Sequence, residues 1–85
     1  KGLKLKLYPN PAGEKIRVES GENWTGNLNI GISDMSGKTL LRLKKKAPVD
    51  SSFEIDISRL LPGEYILNIE DKSAIGSKKF IVLRK

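Results

Sequence analysis

The sequence predicts an all-β domain, an immunoglobulin-like antiparallel sandwich of about seven strands. Three observations carry that expectation. Short runs of alternating apolar and polar residues recur about every ten positions. Turn-forming residues separate the runs. Only one stretch, Ser58-Arg59-Leu60-Leu61, has room for even a single helical turn.

The elements follow in order. Leu3, Leu5 and Leu7 alternate with Lys4 and Lys6, as in a half-buried strand. Ile16 and Val18 alternate with Arg17 and Glu19 in a second. Leu28, Ile30 and Ile32 mark a third, and Thr39 to Leu43 a fourth, in which the pair Leu40-Leu41 blurs the parity. Phe53, Ile55 and Ile57 define a fifth, with Glu54 and Asp56 on its solvent face. Tyr65, Leu67 and Ile69 define a sixth, interrupted by Ile66. The seventh runs from Lys78 to Leu83, with Phe80 and Val82 on one face and Ile81 and Leu83 on the other. The expected core is Leu5, Leu7, Ile16, Val18, Leu28, Ile30, Ile32, Phe53, Ile55, Ile57, Tyr65, Leu67, Ile69, Phe80 and Val82.

The turn chemistry agrees. Asp34-Met35-Ser36-Gly37 places Asp first and Gly fourth, as a type I turn prefers. Pro62-Gly63 suits a type II turn. In Tyr8-Pro9-Asn10-Pro11-Ala12-Gly13 the two prolines remove N–H donors from one edge of an extended chain, and Asn10 to Gly13 fits a type I turn. The expected role is to end the first strand, blunt its edge and turn the chain.

Size and composition exclude several functions. The chain has 85 residues, enough for one small domain. It is 38% hydrophobic and 31% charged, and no apolar run approaches the roughly 18 residues of a membrane-spanning helix, so no membrane insertion is expected. It contains neither histidine nor cysteine, which removes the usual general base, thiol nucleophiles and thiolate metal sites. A pocket of about 300 Å3, opened at about 24 cal/mol per Å3, would cost on the order of 7 kcal/mol. A small domain is worth about 5–15 kcal/mol in total. A deep catalytic cavity is therefore not expected, and no catalytic residue, cofactor or metal is assigned.

The net charge of +6 is compatible with a nucleic-acid binder, but such proteins stack bases on exposed rings. Tyr65, Phe53 and Phe80 fall on inner faces, and Trp24 reads best as a lid over the open end of the core. No nucleic acid is expected as a partner. Asn23-Trp24-Thr25 matches a glycosylation triplet that is common by chance. Beyond Asp71 the tail carries Lys72, Lys78, Lys79, Arg84 and Lys85 and no acidic residue.

Four pieces, in this order and spacing, resemble one family. They are Tyr8-Pro9-Asn10-Pro11; Ile32-Ser33-Asp34-Met35-Ser36-Gly37-Lys38; Ile55-Asp56-Ile57-Ser58-Arg59-Leu60 followed by Gly63-Glu64-Tyr65; and Lys78-Lys79-Phe80-Ile81-Val82-Leu83-Arg84-Lys85. Together they are similar to the type A C-terminal sorting domain of the Bacteroidetes type IX secretion system, from about Leu3 to Lys85. Leu43 to Ser52, with its lysines and Pro48, matches no family feature and reads as a turn or solvated loop.

The resemblance implies a removable address label, the C-terminal piece of a larger secreted protein, with a covalently attached N-terminal cargo. It implies transit of the periplasm, recognition by an outer-membrane translocon, and removal by a sortase-like peptidase at the cell surface, where cargo is often joined to lipopolysaccharide. It implies a label without catalysis of its own. Pro9, Asn10, Pro11, Gly37, Gly63 and Tyr65 are its structural motif positions. Within this reading, Lys78, Lys79, Phe80, Ile81, Val82, Leu83, Arg84 and Lys85 form the candidate recognition segment. The segment would add to a receptor sheet by strand pairing, its cations steering it to an acidic surface. The competing reading is a fibronectin-III-like or carbohydrate-binding module, motivated by Leu60-Leu61-Pro62-Gly63-Glu64-Tyr65, which resembles a tyrosine corner.

Overall fold

The computed structural model describes residues 5–10, 12–20, 26–46, 52–72 and 74–84. The expectations placed on Leu3, Pro11, the Asn23-Trp24-Thr25 triplet, Pro48 and Lys85 lie outside these residues.

Seven strands form in the expected order: β1 (Leu5–Tyr8), β2 (Lys15–Ser20), β3 (Asn27–Asp34), β4 (Thr39–Lys46), β5 (Ser52–Asp56), β6 (Gly63–Glu70) and β7 (Ile75–Val82). They build two sheets, β1-β2-β5 and β4-β3-β6-β7, in which every paired strand is antiparallel. The chain changes sheet after β2, β4 and β5, the crossing connections of an immunoglobulin-like sandwich. Alternation explains the two layers. Each strand has one apolar face, and the only way to bury it is against the apolar face of the other sheet.

The core matches the periodicity closely. Ile16, Val18, Ile55 and Ile57 on one side meet Leu28, Ile32, Leu67, Ile69, Phe80 and Val82 on the other, all at 2% exposure or less. Leu5 is a correction: it packs against the core but is only half-buried, because it opens an edge strand. Ala12 and Leu60 join the core without having been expected there. Neither sits on an alternating run; both are loop residues pulled in by the contacts described below.

The blurred parity of β4 has a local cause. As β3 steps from Ile32 to Ser33, its partners step from Leu41 to Thr39. Leu40 is therefore the extra residue of a β-bulge and points to solvent. Beyond it Leu41 and Leu43 recover the inward face. The β3–β4 turn forms as expected. Gly37 N–H donates to the Asp34 carbonyl at 3.1 Å, and Gly37 adopts φ +94°, a conformation that costs glycine little.

One turn expectation is corrected. Gly63 has φ +157°, far from the +80° of a type II turn, and is already a β6 residue paired with Val82. The tight turn lies earlier, where Leu60 N–H donates to the Ile57 carbonyl at 3.0 Å. The expected Asn10-to-Gly13 turn includes Pro11, which lies outside the described residues. The Tyr8–Pro9 bond is cis, and the chain then crosses to the other sheet, where Ala12 forms a parallel bridge with Val82.

Candidate recognition strand

β7 starts at Ile75, three residues before the expected Lys78, and forms one edge of the four-stranded sheet. Its pairing with β6 sets Val82 opposite Gly63, Phe80 opposite Tyr65 and Lys78 opposite Leu67. Phe80 and Val82 are fully buried. The rings of Phe80 and Tyr65 lie with centroids 5.8 Å apart at 30°, within the range of favourable aromatic pairs. Tyr65 donates its hydroxyl proton to the Leu61 carbonyl, the backward reach of a tyrosine corner.

The other face of the strand points outward. Ile75, Ile81 and Leu83 are exposed, at 56%, 36% and 57%. Lys79 pairs with Glu64 at 3.0 Å. Lys78 has the parity of the core face but remains exposed. A charge at an inward position of an edge strand opposes pairing with stray strands.

The edge itself is partly covered. Ala12 N–H donates to the Ile81 carbonyl at 2.7 Å, and Leu83 N–H donates to the Ala12 carbonyl at 2.9 Å. Ile81 N–H donates to Asn10 Oδ1 at 3.1 Å. The Tyr-Pro-Asn-Pro stretch thus finishes the last strand rather than merely ending the first. This corrects the strand-pairing expectation for its C-terminal half: the Ile81 N–H and carbonyl and the Leu83 N–H, which a receptor strand would use, are already bonded.

Arg84 is also placed differently from its sequence role as a steering cation. Its guanidinium donates to three backbone carbonyls: Leu60, Gly13 at 3.0 Å and Ile57 at 2.8 Å. These belong to the β1–β2 and β5–β6 connections, so one side chain ties the last residues to two loops, as a planar guanidinium with five donors can. Sequence reasoning missed the clasp. Its partners lie 24 to 71 positions away, and carbonyl groups leave no trace in residue identity.

Two exposed carboxylates stiffen the loops nearby. Asp34 Oδ1 accepts from Ser36 N–H at 2.9 Å, Ser36 Oγ at 2.6 Å and Lys38 N–H at 3.0 Å. The Ser36 hydroxyl is the chief reason its pKa lies below the ordinary value, with the backbone donors adding to it. Asp56 Oδ1 accepts from Ser58 N–H at 2.9 Å, and that bond chiefly lowers its pKa.

The comparison with known families decides the identity. Residues 6–83 match the family model of the secretion system C-terminal sorting domain, nearly the whole chain. The chain belongs to the C-terminal sorting domains of the type IX secretion system. No curated protein matches it. The four quoted motifs of this sorting domain now have structural positions. Asn10 caps β7, Gly37 closes the β3–β4 turn, Tyr65 anchors the β5–β6 corner, and the terminal strand completes the second sheet. The domain is a sorting signal from a family of non-catalytic labels. That family implies an attached N-terminal cargo, and export across the outer membrane to the cell surface or beyond.

Proposed function

We propose that residues 1–85 act as a single label whose β7 strand is read, through its side chains, by the outer-membrane translocon after the cargo has crossed the periplasm. A sortase-like peptidase then separates label from cargo at the surface. The observation that supports this reading is the division of labour along β7. Phe80 and Val82 are buried, Arg84 is bonded to three carbonyls, Lys79, Ile81 and Leu83 face outward, and Lys78 is exposed beside them. The inward residues set the position of the outward ones, so a receptor meets a rigid array rather than a floppy tail. This lowers the ordering cost of binding. The tyrosine corner does not favour the fibronectin-like or glycan-binding alternative, since it stabilises a sandwich of any function.

The test is a periplasm-exported reporter fused ahead of residues 1–85 in a type IX-competent host. The double variant Ile81→Ser, Leu83→Ser changes only exposed side chains. We expect it to leave the reporter in the periplasm while the purified domain keeps its melting temperature. Surface delivery at the unaltered level would overturn the reading.

A further inference from the structure

The outer face of the four-stranded sheet holds a depression of about 490 Å3 that has no part in the β7 reading. Its floor is Gly31, in the middle of β3, between Arg42 of β4 and Asn68 of β6. Glycine is among the poorest residues for the interior of a central strand. Nothing in the fold demands it here. Gly31 has no positive φ, and a Cβ at this position would meet only the Leu41 carbonyl oxygen, at an ordinary 3.9 Å. The bulge beside it is accommodated on the other strand, at Leu40. A strand glycine that neither a turn nor a neighbour requires marks a place where another molecule's backbone approaches closely.

The walls define what approaches. Arg42, Lys44 and Lys46 stand on the same outer face of β4, opposite Gly31, Asn29 and Asn27. All three are exposed, and among the described residues none has an ion-pair partner. Residues two apart in a strand repeat every ~6.8 Å, so the three cations form a comb of that period. Carboxylates on alternate residues of an extended peptide have the same period. Asn29 and Asn68 flank the glycine, and a carboxamide both donates to and accepts from a peptide group. Glu70, across Asn29 from Lys44, bounds the acidic occupant on the β6 side. Single-stranded nucleic acids would call for exposed rings to stack on, and the described residues of this face carry none.

The geometry points to a second interaction surface: the Gly31 depression and the Arg42–Lys44–Lys46 comb dock an extended acidic segment of a protein partner, laid along β4. This does not rest on the reading of β7, and its failure would leave that reading intact.

The experiment uses the 85-residue chain and a fluorescent 12-residue peptide alternating glutamate with serine, followed by anisotropy. Gly31→Val keeps every charge and favours strand structure. We expect it to weaken peptide binding by ~10-fold or more without lowering the melting temperature. Arg42→Glu is expected to weaken it by a similar ~10-fold through charge reversal. Lys6→Glu, an exposed position on the other sheet, should change it by no more than about twofold. Should the valine variant not fold, Gly31→Ala takes its place, with the same expectation of weakened binding. The inference is overturned if glycine substitution leaves affinity unchanged, or if Lys6→Glu is as damaging as Arg42→Glu. It is also overturned if an oligo-uronate or a DNA duplex binds with the same dependence on Gly31 and the peptide does not.

Discussion

β4 and β7 are the two edges of one sheet, and they solve the edge problem in opposite ways. Both are eight residues long and both carry lysines. β7 buries Phe80 and Val82 completely, has its C-terminal half covered by Asn10 and Ala12, and is followed by the Arg84 clasp. β4 buries nothing completely. Leu41 and Leu43 are half-covered, and Lys45 lays its ammonium 5.3 Å from the centroid of the Phe53 ring. Its defence is charge and a bulge. The contrast shows that basic residues near an edge have no single meaning. Arg84 is a brace, Lys78 a guard, and Arg42, Lys44 and Lys46 a row with no ion-pair partner among the described residues.

The comparison breaks first, if it is wrong, on core truncations. Phe80→Ala empties a fully buried site and should cost about 4 kcal/mol, within the range for large-to-small core changes. A domain of this size has roughly 0.05–0.15 kcal/mol per residue to lose, so the variant should lose roughly a third to nearly all of its stability. Leu43→Ala, in the half-buried row of β4, should cost only about 1 kcal/mol. Urea midpoints of the two variants measure this. Equal losses would mean that the two edges hold the fold equally.

A smaller contrast sharpens the reading of the arginines. Arg84→Met keeps most of the apolar stem and removes the donors, leaving the Gly13, Ile57 and Leu60 carbonyls without them. Bonds from a charged donor are each worth about 1.5–3 kcal/mol when sheltered. Arg84 is only half-buried, so the sum is discounted to about 2–3 kcal/mol. At about 4–8 °C per kcal/mol, the melting temperature should fall by roughly 10–20 °C. Arg42→Met should move it by less than about 3 °C, as exposed substitutions usually do. A similar fall for both would remove the distinction between brace and free row.

How much of this was legible depends on the range of the interaction. Alternation is written at a spacing of two, so the strands, their inward faces and nearly all of the core could be read directly from residues such as Ile16 and Val18. The Asp34–Gly37 turn was legible for the same reason, its partners being neighbours. Asn10 was visible as a turn former but its partner was not. An asparagine side chain that could close a local turn serves equally well to cap a strand 71 residues away, and only the sheet-crossing after Pro9 selects the second use. Arg84 was misread because a terminal cation on an alternating strand looks solvent-facing, and its three acceptors are backbone atoms. Leu60 and Ala12 were missed because they lie off the alternating runs and are buried by those same connections. Glycine at position 31 was plain to see, but its meaning required knowing that nothing crowds it.

The smallest expected effect separates the two edges by acid. Asp34 organises the turn that leads into β4, and its pKa is held below the ordinary carboxylate value of about 3.9, chiefly by the Ser36 hydroxyl. A lowered folded-state pKa contributes stability that is complete above the ordinary value and disappears as pH falls through the lowered one. The sensitive window therefore lies below about pH 4. Asp56 is lowered in the same direction, chiefly by the Ser58 N–H, beside the start of β4. The Arg84 clasp has no titrating acceptor, since its partners are carbonyls. As pH falls below 4, amide-exchange protection at Ser36 and Lys38 should weaken before that of Ile81 and Leu83, through local opening of the turn. Asp34→Asn should remove the pH dependence at Ser36 and Lys38 while leaving β7 unchanged. If protection at both edges vanished together in the unaltered domain, the turn and the clasp would belong to one cooperative unit, and the independence argued for β4 and β7 would be lost.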